Sequence, residues 1–137
     1  KGPWSNYIDR QRGSLLGLYK TTVDGMFEEQ SAPQTMGDRQ GLRQLTLDNN
    51  STKLQITTEG MVAFSLSHFD DAQFNYDVFY GGKHPYDLVR SNQIFAHFDF
   101  WQRGIGNRSC GGDSCLPQYM TPTGAHEFTL RFTPMAK

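Results

Sequence analysis

Hydrophobic residues recur at every second position along several stretches of the chain. Leu54 and Ile56 alternate with Lys53, Gln55 and Thr57. Val62, Phe64 and Leu66 alternate with Ala63, Ser65 and Ser67. Ile94, Ala96, Phe98 and Phe100 alternate with Gln93, Phe95, His97 and Asp99. Phe128, Leu130 and Phe132 alternate with Glu127, Thr129, Arg131 and Thr133. A period of two places one set of side chains on each face of an extended backbone, so these stretches predict half-buried β-strands. Turn formers bound them at Asp48-Asn49-Asn50-Ser51, Glu59-Gly60, Ser91-Asn92 and Thr123-Gly124. Lys53 to Leu66 reads as a hairpin folded at Glu59-Gly60.

One stretch departs from the alternation. Asp70 is placed to cap a short helix over 70–80, with Phe74 and Val78 on one face and Gly81-Gly82 ending it. Residues 15–40 read as short strands and long loops. Several strands with one minor helix predict an all-β fold, an antiparallel β-sandwich. With 137 residues the chain reads as a single domain, 1–137. Such a length buries roughly two thirds of the unfolded surface, and it falls short of the ~250 residues of a (β/α)₈ barrel.

Charge narrows the partners. Lys and Arg total 13 against 14 acidic residues, a net charge of −1. That balance offers no electrostatic footprint for nucleic acid or an anionic membrane. No apolar run approaches the ~20 residues of a spanning helix, and the N-terminus carries no signal-peptide pattern. Cys110 and Cys115 lie five apart in one Gly-rich loop, where a pair of free thiols is favoured over a disulfide. No His stands at a spacing that would complete a zinc site, and no cofactor is expected. Asn49, Asn50 and Asn107 each open an N-x-Ser/Thr sequon, which matters only in a eukaryotic secretory pathway.

The residues that could do chemistry are scattered. Glu59 and Glu127 read as solvated charges, and Glu28-Glu29 shows no evident partner. His68, His84, His97 and His126 stand in no nucleophile-elbow context. His97 reads as a solvent or inter-sheet residue and His84 as a turn residue before Pro85. No catalytic residue is assigned. The most distinctive stretch is Asp99-Phe100-Trp101-Gln102-Arg103-Gly104-Ile105-Gly106-Asn107-Arg108-Ser109-Cys110-Gly111, an alternating strand that breaks into a loop. Gly104, Gly106 and Gly111 shape that loop by allowing turns and close backbone approach. Trp101, at the strand end, reads as a core residue.

This loop resembles a signature of the C-terminal small-chain domain of glycoside hydrolase family 2 β-galactosidases. There a strand ending in Asp leads into Gly-Ile/Val-Gly, a few polar residues, and Ser-Trp-Gly or Ser-Cys-Gly. The opening Gly2-Pro3-Trp4-Ser5-Asn6-Tyr7-Ile8-Asp9-Arg10 is similar to the family's Gly-Pro-x-Glu-Asn-Tyr-x-Asp-Arg, with Ser5 where Glu is usual. Pro33-Gln34-Thr35-Met36-Gly37-Asp38-Arg39, followed by Leu42-Arg43-Gln44-Leu45, is similar to a Pro-Gln-x-x-Gly-x-Arg segment leading into a strand. Met61 to Ser67 and His84-Pro85-Tyr86-Asp87-Leu88 also fit, in the same order.

The resemblance implies half of a large galactose-mutarotase-like supersandwich, truncated on its N-terminal side. It implies a non-catalytic domain that braces a catalytic barrel and lends the loop 104–115 to a sugar pocket. The two carboxylates of retaining galactoside hydrolysis would lie outside this chain. Asn107, Arg108 and Ser109 would offer hydrogen bonds to sugar hydroxyls. Cys110 would stand where an aromatic ring often lines the pocket, offering a small polarizable contact instead of stacking. Asn6, Tyr7, Arg10 and Arg39 would be structural, the arginines at least partly buried. The expected partners are the remaining domains of the enzyme and, through its pocket, the galactoside. A homo-oligomer is left open, because a missing half-sandwich would expose an apolar patch. A bacterial cytoplasm or periplasm is the expected setting. Two other readings stand beside this one. The first is a free-standing carbohydrate-binding sandwich using Trp4, Tyr80 or Trp101. The second is a purely structural interdomain module.

Overall fold

The structure, a computed structural model, describes residues 1–30, 37–74, 83–105 and 115–136. Its strands are β1 (Arg39–Asp48), β2 (Lys53–Ser67), β3 (Phe95–Asp99) and β4 (Leu130–Met135). All pairings are antiparallel and β2 is the spine. β1 runs along one edge of β2. The other edge is shared, with β4 against residues 53–58 and β3 against residues 63–67. The fold is all-β and antiparallel, as the alternation predicts.

The β1–β2 connection is a tight turn at the Asp48–Ser51 turn formers. Asn49 Oδ1 accepts from Ser51 N, Thr52 N and Thr52 Oγ1 at 3.0, 2.8 and 3.1 Å, and Asn50 takes φ 69°. A short polar side chain that binds backbone two residues on is the usual device of such turns. The hairpin expected at Glu59-Gly60 does not form; β2 runs straight through. The register instead slips: Leu42 faces Val62 while Gln44 faces Thr57. Gly60 takes φ 91° inside this bulge, where a side chain would be strained. Thr58 Oγ1 donates to Leu42 O at 2.9 Å across the interrupted ladder. Glu-Gly is therefore a bulge signal here, because the neighbouring strands hold β2 extended on both sides of it.

The short helix expected over 70–80 is also corrected. Asp70 does cap, its Oδ1 accepting from Ala72 N at 2.9 Å, but what it caps is a 3₁₀ turn, Asp71–Gln73. Phe74 already has extended φ/ψ of −82° and 92°. Residues 75–82 lie outside the described residues.

Cross-strand pairing fixes two faces. Ala63–Asp99 and Ser65–His97 share one, and Phe64–Phe98 and Leu66–Ala96 share the other. The second face continues through Ile56–Phe132 and Leu54–Pro134, joined by the edge-on contact of Phe98 with Phe132 at 6.4 Å. Its middle is buried at Ile56 and Val62, but Phe128 and Phe132 remain more than half exposed. The first face is the polar one. The N-terminal segment reaches β1 through Asn6, which is fully buried. Asn6 N donates to Asp38 O at 2.9 Å, and Asn6 Oδ1 accepts from Gln40 N at 3.0 Å. Its Nδ2 donates to Lys1 O and Trp4 O at 3.2 and 3.0 Å. Each polar atom of a buried amide thus has a partner.

Candidate functional site

Where β1 begins and β3 ends, the polar face opens into a cleft of about 210 Å³. It is lined by Tyr7, Asp38, Ser65, His97, Asp99, Gln102, Arg103 and Ile105. The elements explain the gathering. Ser65, His97 and Asp99 project from paired positions on β2 and β3. Asp38 immediately precedes β1, and Asn6 pins Tyr7 beside it. Gln102, Arg103 and Ile105 follow β3 as the chain leaves the sheet.

A directional relay runs through this cleft. Gln40 Nε2 donates to Asp38 Oδ2 and to Gln102 Oε1, both at 2.8 Å. Gln102 Nε2 donates to Asp99 Oδ2 at 3.3 Å. His97 Nε2 lies 3.2 Å from Asp71 Oδ2. Asp38 is 5% exposed, and its Oδ1 is sealed from solvent without a hydrogen-bond partner. Burial pushes the Asp38 carboxyl up to about 6, and the Asp99 charge adds to this. Hydrogen bonding from Gln40 and Gln102 and the charge of Arg39 offset part of the rise. Burial also raises the Tyr7 phenol.

Two carboxyls in one cleft invite comparison with a glycosidase acid pair, one of which has a raised pKa. The geometry argues against that role. Asp38 Oδ1 is shut off and Oδ2 is held by Gln40, so Asp38 has no oxygen free to hand a proton to a glycosidic bond.

The structural residues named from sequence fall as follows. Arg39 is buried, with Nη2 3.3 Å from Glu28 Oε1 and Nη1 donating to Ser5 Oγ at 3.2 Å and Asp38 O at 3.4 Å. Glu28 therefore has a partner that its sequence context did not reveal, and Oε1 also accepts from Ser5 N at 2.6 Å. Ser5, at the position where the family pattern has Glu, is thus a hub of this junction. Arg10 is exposed in the 3₁₀ turn Ile8–Gly13, against the expectation of burial. Trp101 is likewise not core: it is 55% exposed and tilted 53° against His126.

Of the loop residues, Asn107, Arg108, Ser109, Cys110, Gly106 and Gly111 lie outside the described residues, as does any pairing of Cys110. The base of the loop is described, and it is closed. Gly104 N donates to Tyr119 O at 2.9 Å. A Cβ on Gly104 would sit 2.8 Å from Asp9 Oδ2 and 2.9 Å from Cys115 Sγ. Gly104 is needed for close approach rather than for a turn. Cys115 is buried and its Sγ donates weakly to Leu116 O at 3.5 Å. Among the described residues no group of three or more His, Cys, Asp or Glu converges to hold a metal ion.

The sequence did not single out Asp38, Gln40, Asp99 or Gln102 as site residues. The available signal was modest. His97 and Asp99 are polar at i and i+2 in an otherwise aromatic strand, which marks one face of that strand as hydrophilic.

Comparison with known proteins agrees with the motif resemblance. A beta-galactosidase of Aeromonas hydrophila is 29% identical over 126 residues, 92% of this chain and 11% of that protein. One of Staphylococcus xylosus is 27% identical over 111 residues, 81% of this chain and 11% of that protein. One of Vibrio vulnificus is 24% identical over 136 residues, 99% of this chain and 12% of that protein. The chain thus spans only about a ninth of the length of these relatives. Residues 1–133 match the family described as beta galactosidase small chain. With its signature motifs in order along an all-β antiparallel frame, the chain belongs to that family.

Proposed function

We propose that this chain is a non-catalytic accessory domain of a β-galactosidase. In this reading it braces the catalytic domain and lends the loop 104–115 to the sugar pocket. The supporting observation is the family match over nearly the whole chain, at about a ninth of the relatives' length. The carboxylates of the chain fit the reading. Glu28 is committed to Arg39 and Ser5, Asp38 is locked, and Glu59 and Glu127 are exposed. The nucleophile and the acid/base of a retaining reaction would come from elsewhere in the enzyme. The loop contributes by positioning. Its base at Gly104 packs closely against Asp9 and Cys115 and is hydrogen-bonded to Tyr119 O, which supports a positioning role for the segment that follows.

The test is hydrolysis of a chromogenic β-galactoside by this chain alone and by the full-length polypeptide that carries it. Activity is expected only in the full-length protein, and Arg108→Ala there is expected to raise KM. Turnover by the isolated chain would overturn the accessory reading.

A further inference from the structure

We propose that the arch of residues 15–20, together with Trp4, is the face by which this chain docks on the remainder of its own polypeptide, onto a surface that is apolar at its centre and rimmed by carboxylates. This rests on the accessory-domain reading above and names the surface through which the bracing is done.

Residues 16–20 belong to no strand or helix, yet the arch is anchored. Gly2 N donates to Leu15 O at 3.1 Å, and Tyr19 Oη donates to the same carbonyl at 2.9 Å. The Tyr19 ring lies against Gly2 and Gly17, where an added Cβ would come within 3.1 and 3.2 Å of it.

The side chains held in this way face water. Leu15 is 77% exposed, Leu18 is wholly exposed, and Trp4 and Leu16 are more than half exposed. The backbone N–H and C=O groups of residues 16–20 have no hydrogen-bond partner among the described residues. Single exposed leucines are ordinary. Three within four positions, bridged to the segment that carries Trp4, make a patch, and an exposed apolar patch marks a contact surface. Contacts that fix apolar side chains outward gain nothing in water; they preorganise the segment for a partner.

Charge and chain length select the occupant. Residues 1–20 carry Lys1, Arg10, Arg12 and Lys20 against Asp9 alone, in a chain whose net charge is −1. Arg10, Arg12 and Lys20 are exposed. Lys1 Nζ donates to Gln11 O at 3.3 Å, which sets the turn bearing Arg10 and Arg12 beside the foot of the arch. Two copies meeting across a two-fold axis would bring these cations against one another, so self-pairing is disfavoured. Carboxylates around an apolar centre are the complement. The relatives are about nine times the length of this chain, so most of such a polypeptide lies outside it and supplies that surface.

Amide hydrogen exchange of the full-length polypeptide, read by mass spectrometry over residues 15–20, tests this. These amides are expected to exchange at least about a hundredfold slower than in an unstructured peptide. Leu18→Lys is expected to speed that exchange at least about tenfold, and Leu18→Met to stay within about threefold of the parent. Leu18 is wholly exposed within this chain, so a role confined to the chain predicts no effect of either substitution. Exchange at the unstructured rate in the parent overturns the inference, as does unchanged protection in Leu18→Lys. Protection that disappears on dilution to the monomer also overturns it, in favour of a second copy. If Leu18→Lys fails to fold, the parent's exchange and Leu18→Ala decide. Hydrolysis of a chromogenic β-galactoside by the same preparation separates the two readings. An inactive parent overturns the galactosidase reading; an active parent with unprotected amides overturns the docking surface alone.

Discussion

Asp38→Asn should make the protein more stable at neutral pH, and the gain should vanish in acid. The Asp38 carboxyl has an ordinary value of 3.8 and is raised to about 6 in the fold. The folded state therefore holds a proton that the unfolded state has released between those two values. Stability falls as pH rises through this window, and the loss is complete above about pH 6. A rise of about two units corresponds to about 3 kcal/mol. Asn carries no charge and keeps an oxygen to accept from Gln40, but its amide nitrogen then takes the sealed site of Oδ1, where no hydrogen-bond partner stands. An unpartnered buried donor costs about 1 kcal/mol at the low end of the usual range. The net gain at pH 7.5 is then about 2 kcal/mol, and at pH 4 the variant is no more stable than its parent. Urea unfolding followed by the fluorescence of Trp4 and Trp101, from pH 4 to 7.5, reads this directly. Other carboxylates titrate in both proteins and cancel in the difference. A difference that does not change with pH, or an Asn variant less stable at pH 7.5, would refute the assignment of the cost to a buried charge.

Asn6→Ala removes three side-chain hydrogen bonds and strands Gln40 N, Lys1 O and Trp4 O. A loss of about 2–4 kcal/mol is expected in denaturant titration, and Asn6→Asp should recover little, since Asp cannot donate to the two carbonyls. Gly104→Ala drives a methyl group to within 3 Å of Asp9 and Cys115. It should cost about 1–3 kcal/mol and, in the full-length protein, disturb the loop enough to raise KM; an unchanged melting temperature would show that the loop base has slack.

Much of the sheet was legible because alternation is local. Phe95, His97 and Asp99 announce β3, and the Asx-rich run 48–51 marks the true turn. The misreadings have a common cause. Glu59-Gly60 has the chemistry of a hairpin turn, yet whether a Gly with positive φ reverses the chain or only bulges it depends on which strands flank it. Here β1 on one side and β3 and β4 on the other keep β2 extended. The 70–80 helix was read from a cap and an apolar spacing, and Asp70 caps a single 3₁₀ turn just as willingly. The cleft was illegible because its parts come from widely separated segments: Tyr7, Asp38, Ser65 and the run from 97 to 105. No spacing rule joins Asp38 to Gln102; only the register of β1 on β2 and of β2 on β3 does.

The division of one edge of β2 between β3 and β4 also sets a timetable. During synthesis, residues 53–58 emerge with their partner on one side, β1, already made. Their partner on the other side is β4, about 80 residues later in the chain. At synthesis rates of about 5–20 residues per second that interval lasts about 4 s or more. Throughout it the first half of β2, with Leu54 and Ile56 on one face, presents an unpaired strand edge to neighbouring nascent chains. β4 is thus the last of the described strands to join this sheet, so ribosome stalling or premature termination before Leu130 would leave a segment primed for aggregation.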